Sequence, residues 1–297
     1  MRSLVRSRKY HYIAYLMIAP AVLVYLVFVF GPVVFGFFYS LTNYNFSGHF
    51  KFIGLKNYFY LTQDDNFLHA VLNTFIYSIF TIFPQLAIGF LLAVAFNNKV
   101  MPARSAFRAS IYLPNVTSMV AISMVWLWIY DPSLGILNRF VIALGLTPVS
   151  WLGNPHTAMG SLIVMAIWRS LGFNMIVNLA GLQNIPISLY EAATLDGASP
   201  SRQLISITVP MMAPTTFFLL VINTINSFMV FEQVQIMTQG GPLSTTTTIV
   251  HQIYLDAFQN FRMGYAMAMA MVLFVIVVCV TLLNFRFGNQ GRDVEVA

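Results

Sequence analysis

The sequence contains very few charged residues. Asp, Glu, Lys and Arg make up 8% of its 297 residues, whereas 58% are hydrophobic. Since a soluble globular domain carries about 25% charged residues, this shortage excludes a chain whose surface mainly contacts water. The single cysteine, Cys279, lies in a hydrophobic run and excludes an internal disulfide. The composition therefore predicts a protein embedded in a membrane.

Sequence signals for catalysis are also missing. No G-x-x-x-x-G-K-[ST] string occurs, so the chain has no P-loop to hold ATP phosphates. The five histidines are scattered, and no pair has the spacing of metal ligands. The adjacent carboxylates Asp64 and Asp65 fall in a loop, where we expect a solvated turn. We therefore expect no enzyme activity, no catalytic residue, and no metal or cofactor on this chain.

Six hydrophobic runs are each long enough to cross a bilayer, which needs about 20 apolar residues. Because lipid has no hydrogen-bond partners for an open strand, each run is predicted to be a helix. The first run follows a basic cluster but is too long for a cleaved signal peptide, so we interpret it as a signal anchor. The sequence thus predicts an all-α membrane protein with six transmembrane helices, approximately over 13–39, 70–97, 109–130, 158–180, 211–231 and 265–285.

The distribution of Lys and Arg predicts the orientation of these spans. One set of connecting segments holds ten of these residues, namely Arg2, Arg6, Arg8, Lys9, Lys99, Arg104, Arg108, Arg202, Arg286 and Arg292. The alternate loops hold four, namely Lys51, Lys56, Arg139 and Arg262. The positive-inside rule then places both termini in the cytoplasm. This predicts a cytoplasmic segment 1–12, a transmembrane domain 13–287 and a cytoplasmic tail 288–297.

The connection between spans four and five, here called the 181–210 loop, is predicted to be cytoplasmic. Pro186 is expected to end the preceding helix. Ser188 and Glu191 have the spacing of a capping box, in which each side chain bonds the other residue's backbone N–H. A short helix over 189–196 is expected to follow.

A turn and a second helix are predicted in the rest of the 181–210 loop. Gly197 stands where a left-handed residue ends a helix. Ser199 and Pro200 are typical of an N-cap and first helical residue, and this helix is expected to run until Pro210. Any interfacial helix-turn-helix has these signals, so they do not by themselves define a function.

The string in this loop resembles the EAA loop of binding-protein-dependent ABC importer permeases. That pattern is Glu-Ala-Ala, three residues, Gly, nine residues and Ile-x-Leu-Pro. This chain has Glu-Ala-Ala at 191–193, Gly197 and Ile-Thr-Val-Pro at 207–210, with Val209 as the one departure. Segments similar to the carbohydrate-uptake group are FIGLKNY at 52–58, TQGGPLSTTTT at 238–248, and IYLDAF with GYAMAMA within 253–270.

The resemblance implies a type I ABC importer permease fold, of the first-subunit type found in maltose-type and glycerol-3-phosphate-type importers. It implies a heterodimer with a second, similar permease, an ATPase homodimer that carries Mg-ATP, and an extracellular or periplasmic solute-binding protein, which the loop 232–264 would contact. The expected location is a bacterial or archaeal cytoplasmic membrane. Nucleic acid is not an expected partner, because the basic residues lie at the ends of spans.

The resemblance also implies how the 181–210 loop acts. Its helix at 189–196 would be a coupling helix that docks in a cleft on the ATPase. Glu191 is expected to be the polar anchor of this helix. Ala192, Ala193 and Gly197 are small enough for close approach, and Asp196 completes the expected coupling set.

Polar residues within the spans are candidates for the substrate path. They are Asn115 and Ser118 in span three, Arg169 and Ser170 in span four, and Asn223, Asn226 and Ser227 in span five. By resemblance, the positions of Asn115, Asn223 and Ser227 line the sugar site of maltose-type first subunits. The apolar Val230 departs from that site. Helix–helix hydrogen bonds, or contacts with the partner permease, are competing roles for these polar residues.

Arg169 is the only basic residue deep in a span, where burial is costly unless it faces protein or water. It mildly favours an anionic substrate, whereas pairing with a partner carboxylate is the alternative. The predicted function is import of a sugar or oligosaccharide. Glycerol-3-phosphate or another anionic sugar derivative is the alternative cargo. A secondary transporter is less favoured, because no Asp or Glu lies in the middle of any predicted span.

Overall fold

The computed structural model describes residues 15–45, 48, 50–97 and 104–288. Helices dominate this part of the chain, and strand-type pairing in it is limited to an isolated bridge between Thr42 and Phe52. The described residues form two compact units, one within 1–63 and 253–272 and one within 64–252 and 273–297. The predicted segment 1–12 and the tail after Gly288 lie outside the described residues.

The first unit is built around a long apolar helix. It contains α1 (Tyr15–Ser40), α2 (Lys56–Leu61), a π-helical turn (Leu255–Gln259) and the first part of α13 (Met263–Gly288). Most side chains of α1 are exposed apolar groups, as expected for a helix that contacts lipid. Where α1 ends, the amide of Asn57 donates to the carbonyls of Ser40 and Thr42, both at 2.8 Å. This amide therefore satisfies acceptors at the end of the helix.

The second unit is a bundle packed around α7. Its helices, in chain order, are α3 (Asp65–Asn97), α4 (Arg104–Val116), α5 (Met119–Ile129), α6 (Ile136–Ala143), α7 (Ala158–Gln183), α8 (Ile187–Leu195), α9 (Pro200–Met211), α10 (Ala213–Phe228) and α11 (Glu232–Met237). Helix α12 (Ile249–Tyr254) and helix α13 contribute residues to both units. Helices α3, α4 and α10 all contact α7.

Four of the described helices, α1, α3, α7 and α13, are long and apolar enough to cross a membrane. The predicted third span is broken, and a second bend lies at Met212, at the start of the predicted fifth span. Helices α4 and α5 meet at 102°, and α9 and α10 meet at 61°. Counting each bent pair as one span gives the six predicted spans. The prediction of a continuous helix over 109–130 is wrong, whereas α10 forms one unbroken helix within the predicted fifth span 211–231. Pro114 lies inside α4, and Ser118 has a ψ of 134°, which interrupts the helical geometry between α4 and α5.

The close contact between α4 and α7 requires glycine at position 172. A Cβ on Gly172 would lie 2.5 Å from both the carbonyl oxygen of Ile111 and the Cα of Tyr112. Since no real Cβ makes such contacts, only glycine lets α4 pack this closely on α7. Two clusters of buried apolar residues are found among the described residues of the second unit. One is Tyr77, Ile122, Trp126, Tyr130, Leu162, Met165, Ala166, Val230, Val234 and Met237, and the other is Ala93, Phe96, Met175, Leu179, Leu182, Ile185 and Met212.

Candidate functional site

A cavity of about 570 Å³ lies within the second unit, lined by residues of α3, α4, α5, α7, α10 and α11. Its polar lining is Tyr77, Thr81, Gln85, Asn115, Arg169, Ser170, Asn223, Asn226, Ser227, Glu232 and Gln233, and its apolar lining is Met119, Ala166, Phe173, Met229, Val230 and Phe231. The volume falls in the range of about 300–1,000 Å³ that is usual for small-molecule sites. The cavity therefore has the size and the mixed polar and aromatic lining of a solute site.

The cavity brings together most of the polar residues that the sequence suggested for a substrate path. Asn115, Arg169, Ser170, Asn223, Asn226 and Ser227 all line it. Ser118 does not, because the break after α4 leaves it exposed at the start of α5. There its carbonyl accepts the backbone N–H of Ile122 at 3.1 Å. Contact of these residues with substrate stays a prediction.

One lining residue also has the competing role of linking helices. The amide of Asn223 on α10 donates to the side-chain oxygen of Asn174 on α7 at 2.7 Å. Asn174 in turn donates to the carbonyl of Ser170 at 3.1 Å, and Asn178 donates to the carbonyl of Asn174 at 2.9 Å. Asn174 therefore holds α10 in place beside the cavity.

Helix α3 contributes lining residues that were not predicted from the sequence. Tyr77, Thr81 and Gln85 recur every four residues, so they lie on one face of the helix, and all three line the cavity. This polar stripe in an apolar span was a readable signal. The start of α11 carried no comparable signal. There Gln233 lines the cavity and donates from Nε2 to the Tyr77 hydroxyl, and Glu232 supplies a carboxylate.

Arg169 supplies positive charge to the cavity. Its guanidinium is half-buried, and its Nε is fully buried without a hydrogen-bond partner in the described part of the chain. No carboxylate oxygen of a described residue lies within the 4.0 Å of an ion pair with it, although Glu232 lines the same cavity. Among the described residues, no group of three or more His, Cys, Asp or Glu side chains is placed to hold a metal ion.

The 181–210 loop forms the two short helices that were predicted, with one correction at its start. Helix α8 begins at Ile187, its N-cap is Pro186, and no side chain caps it. The predicted capping box of Ser188 and Glu191 is therefore wrong. Because Pro186 already has the extended conformation of an N-cap (ψ 129°), Ser188 lies inside the first helical turn.

The end of α8 and the start of α9 confirm the remaining local predictions. Gly197 has a φ of +77°. The N–H of Ala198 donates to the carbonyl of Ala193 at 2.8 Å and that of Gly197 to Thr194 at 3.0 Å, which together form a Schellman motif. Ser199 caps α9 by accepting the N–H of Arg202 at 3.4 Å, and Pro200 is the first helical residue. Helix α9 ends at Met211, one residue beyond the predicted Pro210.

Helix α8 is exposed but firmly attached to α9. It has no buried residue, and Glu191, Ala192, Asp196 and Gly197 are all exposed, with Ala193 partly buried. The Tyr190 hydroxyl lies 2.9 Å from that of Thr208, and Gln203 donates to the hydroxyl of Thr194 at 2.9 Å. These side-chain hydrogen bonds join α8 to α9. Helix α8 is therefore exposed but held in a fixed position on α9.

The fold and the cavity define a helical, multi-pass membrane protein with a solute-sized site in one bundle. Residues 75–289 match the family described as binding-protein-dependent transport system inner membrane component. The chain belongs to this family, and it is a permease, a transport component rather than an enzyme.

Similar proteins cover nearly the whole chain. The probable ABC transporter permease protein YurN of Bacillus subtilis (strain 168) is 37% identical over 95% of this chain and 97% of its own. The sn-glycerol-3-phosphate transport system permease protein UgpA of Agrobacterium fabrum (strain C58 / ATCC 33970) is 33% identical over 93% and 94%. A solved bacterial alginate ABC transporter, in complex with alginate pentasaccharide-bound periplasmic protein, contains a chain with a TM-score of 0.86 and 26% identity, covering 98% of this chain and 99% of that one.

Proposed function

We propose that this chain is one of two permease subunits of an ATP-driven importer and forms half of the path for a sugar or oligosaccharide. The proposal rests on one observation. The same bundle contains a polar, solute-sized cavity and an exposed EAA loop whose two helices are hydrogen-bonded to each other. The named solutes of the similar proteins, glycerol-3-phosphate and alginate, are sugar-type compounds and support this cargo class.

The lining of the cavity suits a hydroxyl-rich solute. The amides of Asn115 and Asn226 and the hydroxyls of Ser170 and Ser227 offer both donors and acceptors. Phe173 adds an aromatic side chain for contact with the apolar face of a sugar ring. A second permease would complete the path.

Helix α8 is the proposed contact with an ATPase dimer, which would bind and hydrolyse Mg-ATP. Glu191 would anchor the contact, while Ala192, Ala193, Asp196 and Gly197 form the rest of the docking surface. Since α8 is bonded to α9 and α9 leads into α10, movement of the ATPase would reach Asn223 and Ser227 on the cavity wall. ATP would then act by favouring one of two states of the whole importer.

The proposed setting is a bacterial or archaeal cytoplasmic membrane, with both termini and the 181–210 loop in the cytoplasm. The opposite side would face an extracellular or periplasmic solute-binding protein. Residues 232–264 are the proposed contact with that protein. Labelling of single cysteines placed at Ser201 and Ser244 by a membrane-impermeant maleimide in intact cells tests this orientation, since only the second should react.

The function is tested by reconstituting the chain in proteoliposomes with its neighbouring permease, ATPase and solute-binding protein. Radiolabelled sugar should accumulate only when ATP and the binding protein are both present. An ATPase subunit whose P-loop lysine is replaced serves as the control and should support no uptake. Accumulation driven by an ion gradient without ATP would contradict the proposal and favour a secondary transporter.

A further inference from the structure

Arg169 is an unpaired cation in the wall of the cavity. Its Nε is buried, and neither a hydrogen bond nor an ion pair within the described residues uses its guanidinium. Arginine stays charged in proteins, and a charge at membrane depth is costly unless it has a partner. The packing of this chain alone therefore leaves Arg169 with a strong preference for an anion on the cavity side.

A second donor belongs to the lining of the same cavity. Tyr77 is buried, and its hydroxyl oxygen accepts a hydrogen bond from Gln233. Because that contact uses the oxygen as acceptor, the hydroxyl proton remains available, and it is donated to no acceptor among the described residues. Tyr77 and Arg169 both line the cavity, so two sets of donors lack acceptors there.

This excess of donors is not what a neutral sugar requires. Hydroxyl groups both donate and accept, and the amides of Asn115 and Asn226 already match that need. A guanidinium offers only donors, arranged as a fork that fits the two oxygens of a carboxylate or phosphate. The one carboxylate on the wall, Glu232, is not in ion-pair contact with Arg169 and so leaves the fork free.

We propose that Arg169 determines specificity for an anionic sugar derivative, by holding its carboxylate or phosphate through paired hydrogen bonds that Tyr77 supplements. This inference rests on the proposed function, because it names the solute class of the same cavity. The rival role for Arg169 is an ion pair with a carboxylate of the second permease, which would leave no site for an anionic solute.

Binding of matched probes to the purified complex of both permeases and the ATPase tests the proposal. The probes are tritiated digalacturonate, its neutral methyl ester, glycerol-3-phosphate and glycerol, and the solute-binding protein is left out so that only the permease site is measured. We expect one of the two anions to bind about tenfold or more tightly than its neutral counterpart, as one charged hydrogen-bonded contact allows. Which of the two anions binds more tightly shows whether the solute carries a carboxylate or a phosphate.

Three variants identify the residue responsible. Arg169→Gln should abolish the preference for the anion, and Arg169→Lys should retain part of it, because lysine keeps the charge but not the fork. Tyr77→Phe should weaken anion binding about three- to tenfold, as the loss of one hydrogen bond predicts. The matched control is Arg139→Gln, which removes the same charge from an exposed position outside the cavity lining and should change nothing.

The outcomes separate this inference from the function on which it rests. Equal binding of anionic and neutral probes by the unaltered complex would overturn the role of Arg169, even where ATP-dependent uptake of a neutral sugar is observed. Loss of the second permease from purified Arg169→Lys complexes, with the anion preference unchanged, would also overturn it and support the rival ion pair. Failure of uptake for every sugar, in contrast, counts against the importer itself.

Discussion

The 181–210 loop and the cavity differ in how far apart in sequence their parts lie. In the loop, Gln203 and Thr194 are bonded across nine residues, and the Schellman motif at Gly197 joins residues still closer together. In the cavity wall, Asn223 and Asn174 are bonded across 49 residues, and Gln233 and Tyr77 across 156. Local geometry therefore builds the proposed coupling surface, whereas long-range helix packing builds the cavity.

The two regions also differ in what their side chains contact. Helix α8 has no buried residue, and in the proposed importer its exposed surface would contact the ATPase. Asn223 and Ser227, in the cavity wall, are buried polar residues that also bond to neighbouring groups of the bundle. A change in the loop should thus alter transport without altering solute affinity, whereas a change in the wall should alter solute affinity itself.

The largest effect is expected at Glu191, where a substitution should change transport but not solute affinity. Glu191→Ala should lower ATP-dependent uptake about 30-fold or more, because a central interface anchor is worth about 2 kcal/mol or more. Binding of the cavity probes should stay unchanged. The control on the same helix is Ser188→Ala, which removes a side chain that caps nothing and should retain uptake. Normal uptake in Glu191→Ala, or an altered probe affinity, would contradict the division between loop and cavity.

A smaller effect is expected from the turn after α8. Gly197→Ala should destabilise this turn by about 1–2 kcal/mol, because the residue has a φ of +77°. A Cβ there would meet nothing within 4 Å, so the cost comes from the backbone alone. Hydrogen exchange of the α8 amides should become about 5- to 30-fold faster. Gly160→Ala, also in open space but in ordinary helical geometry, is the control; equal exchange in both variants would show that the turn does not hold α8.

The smallest expected effect lies in the cavity wall. A double-mutant cycle of Asn174→Ala and Asn223→Ala should give a coupling energy of about 0.6 kcal/mol, the average for hydrogen bonds between membrane helices. It is measured as the free energy of unfolding in mixed detergent micelles. A coupling energy near zero would mean that the 2.7 Å contact does not link α7 to α10.

The same contrast explains which features were predictable from the sequence. The turn at Gly197 and the cap at Ser199 were predictable because neighbouring residues determine them. The break at Ser118 was missed because the whole run 109–130 is long enough for one span, although Pro114, Asn115 and Ser118 interrupt its apolar residues. Hydropathy and residue type indicated Arg169 as a path residue, but only the packing of α3, α7 and α11 shows that Tyr77 and Gln233 lie beside the same cavity.

The exposure of α8 has a consequence for the cell. Leu195 is 90% exposed and Ile187 is 69% exposed, so a copy without its ATPase presents apolar side chains on a short helix. With the loop in the cytoplasm, as proposed, proteases and chaperones that recognise exposed apolar segments would have access to it. We expect surplus copies to be degraded, so that the supply of ATPase sets how much of this permease persists.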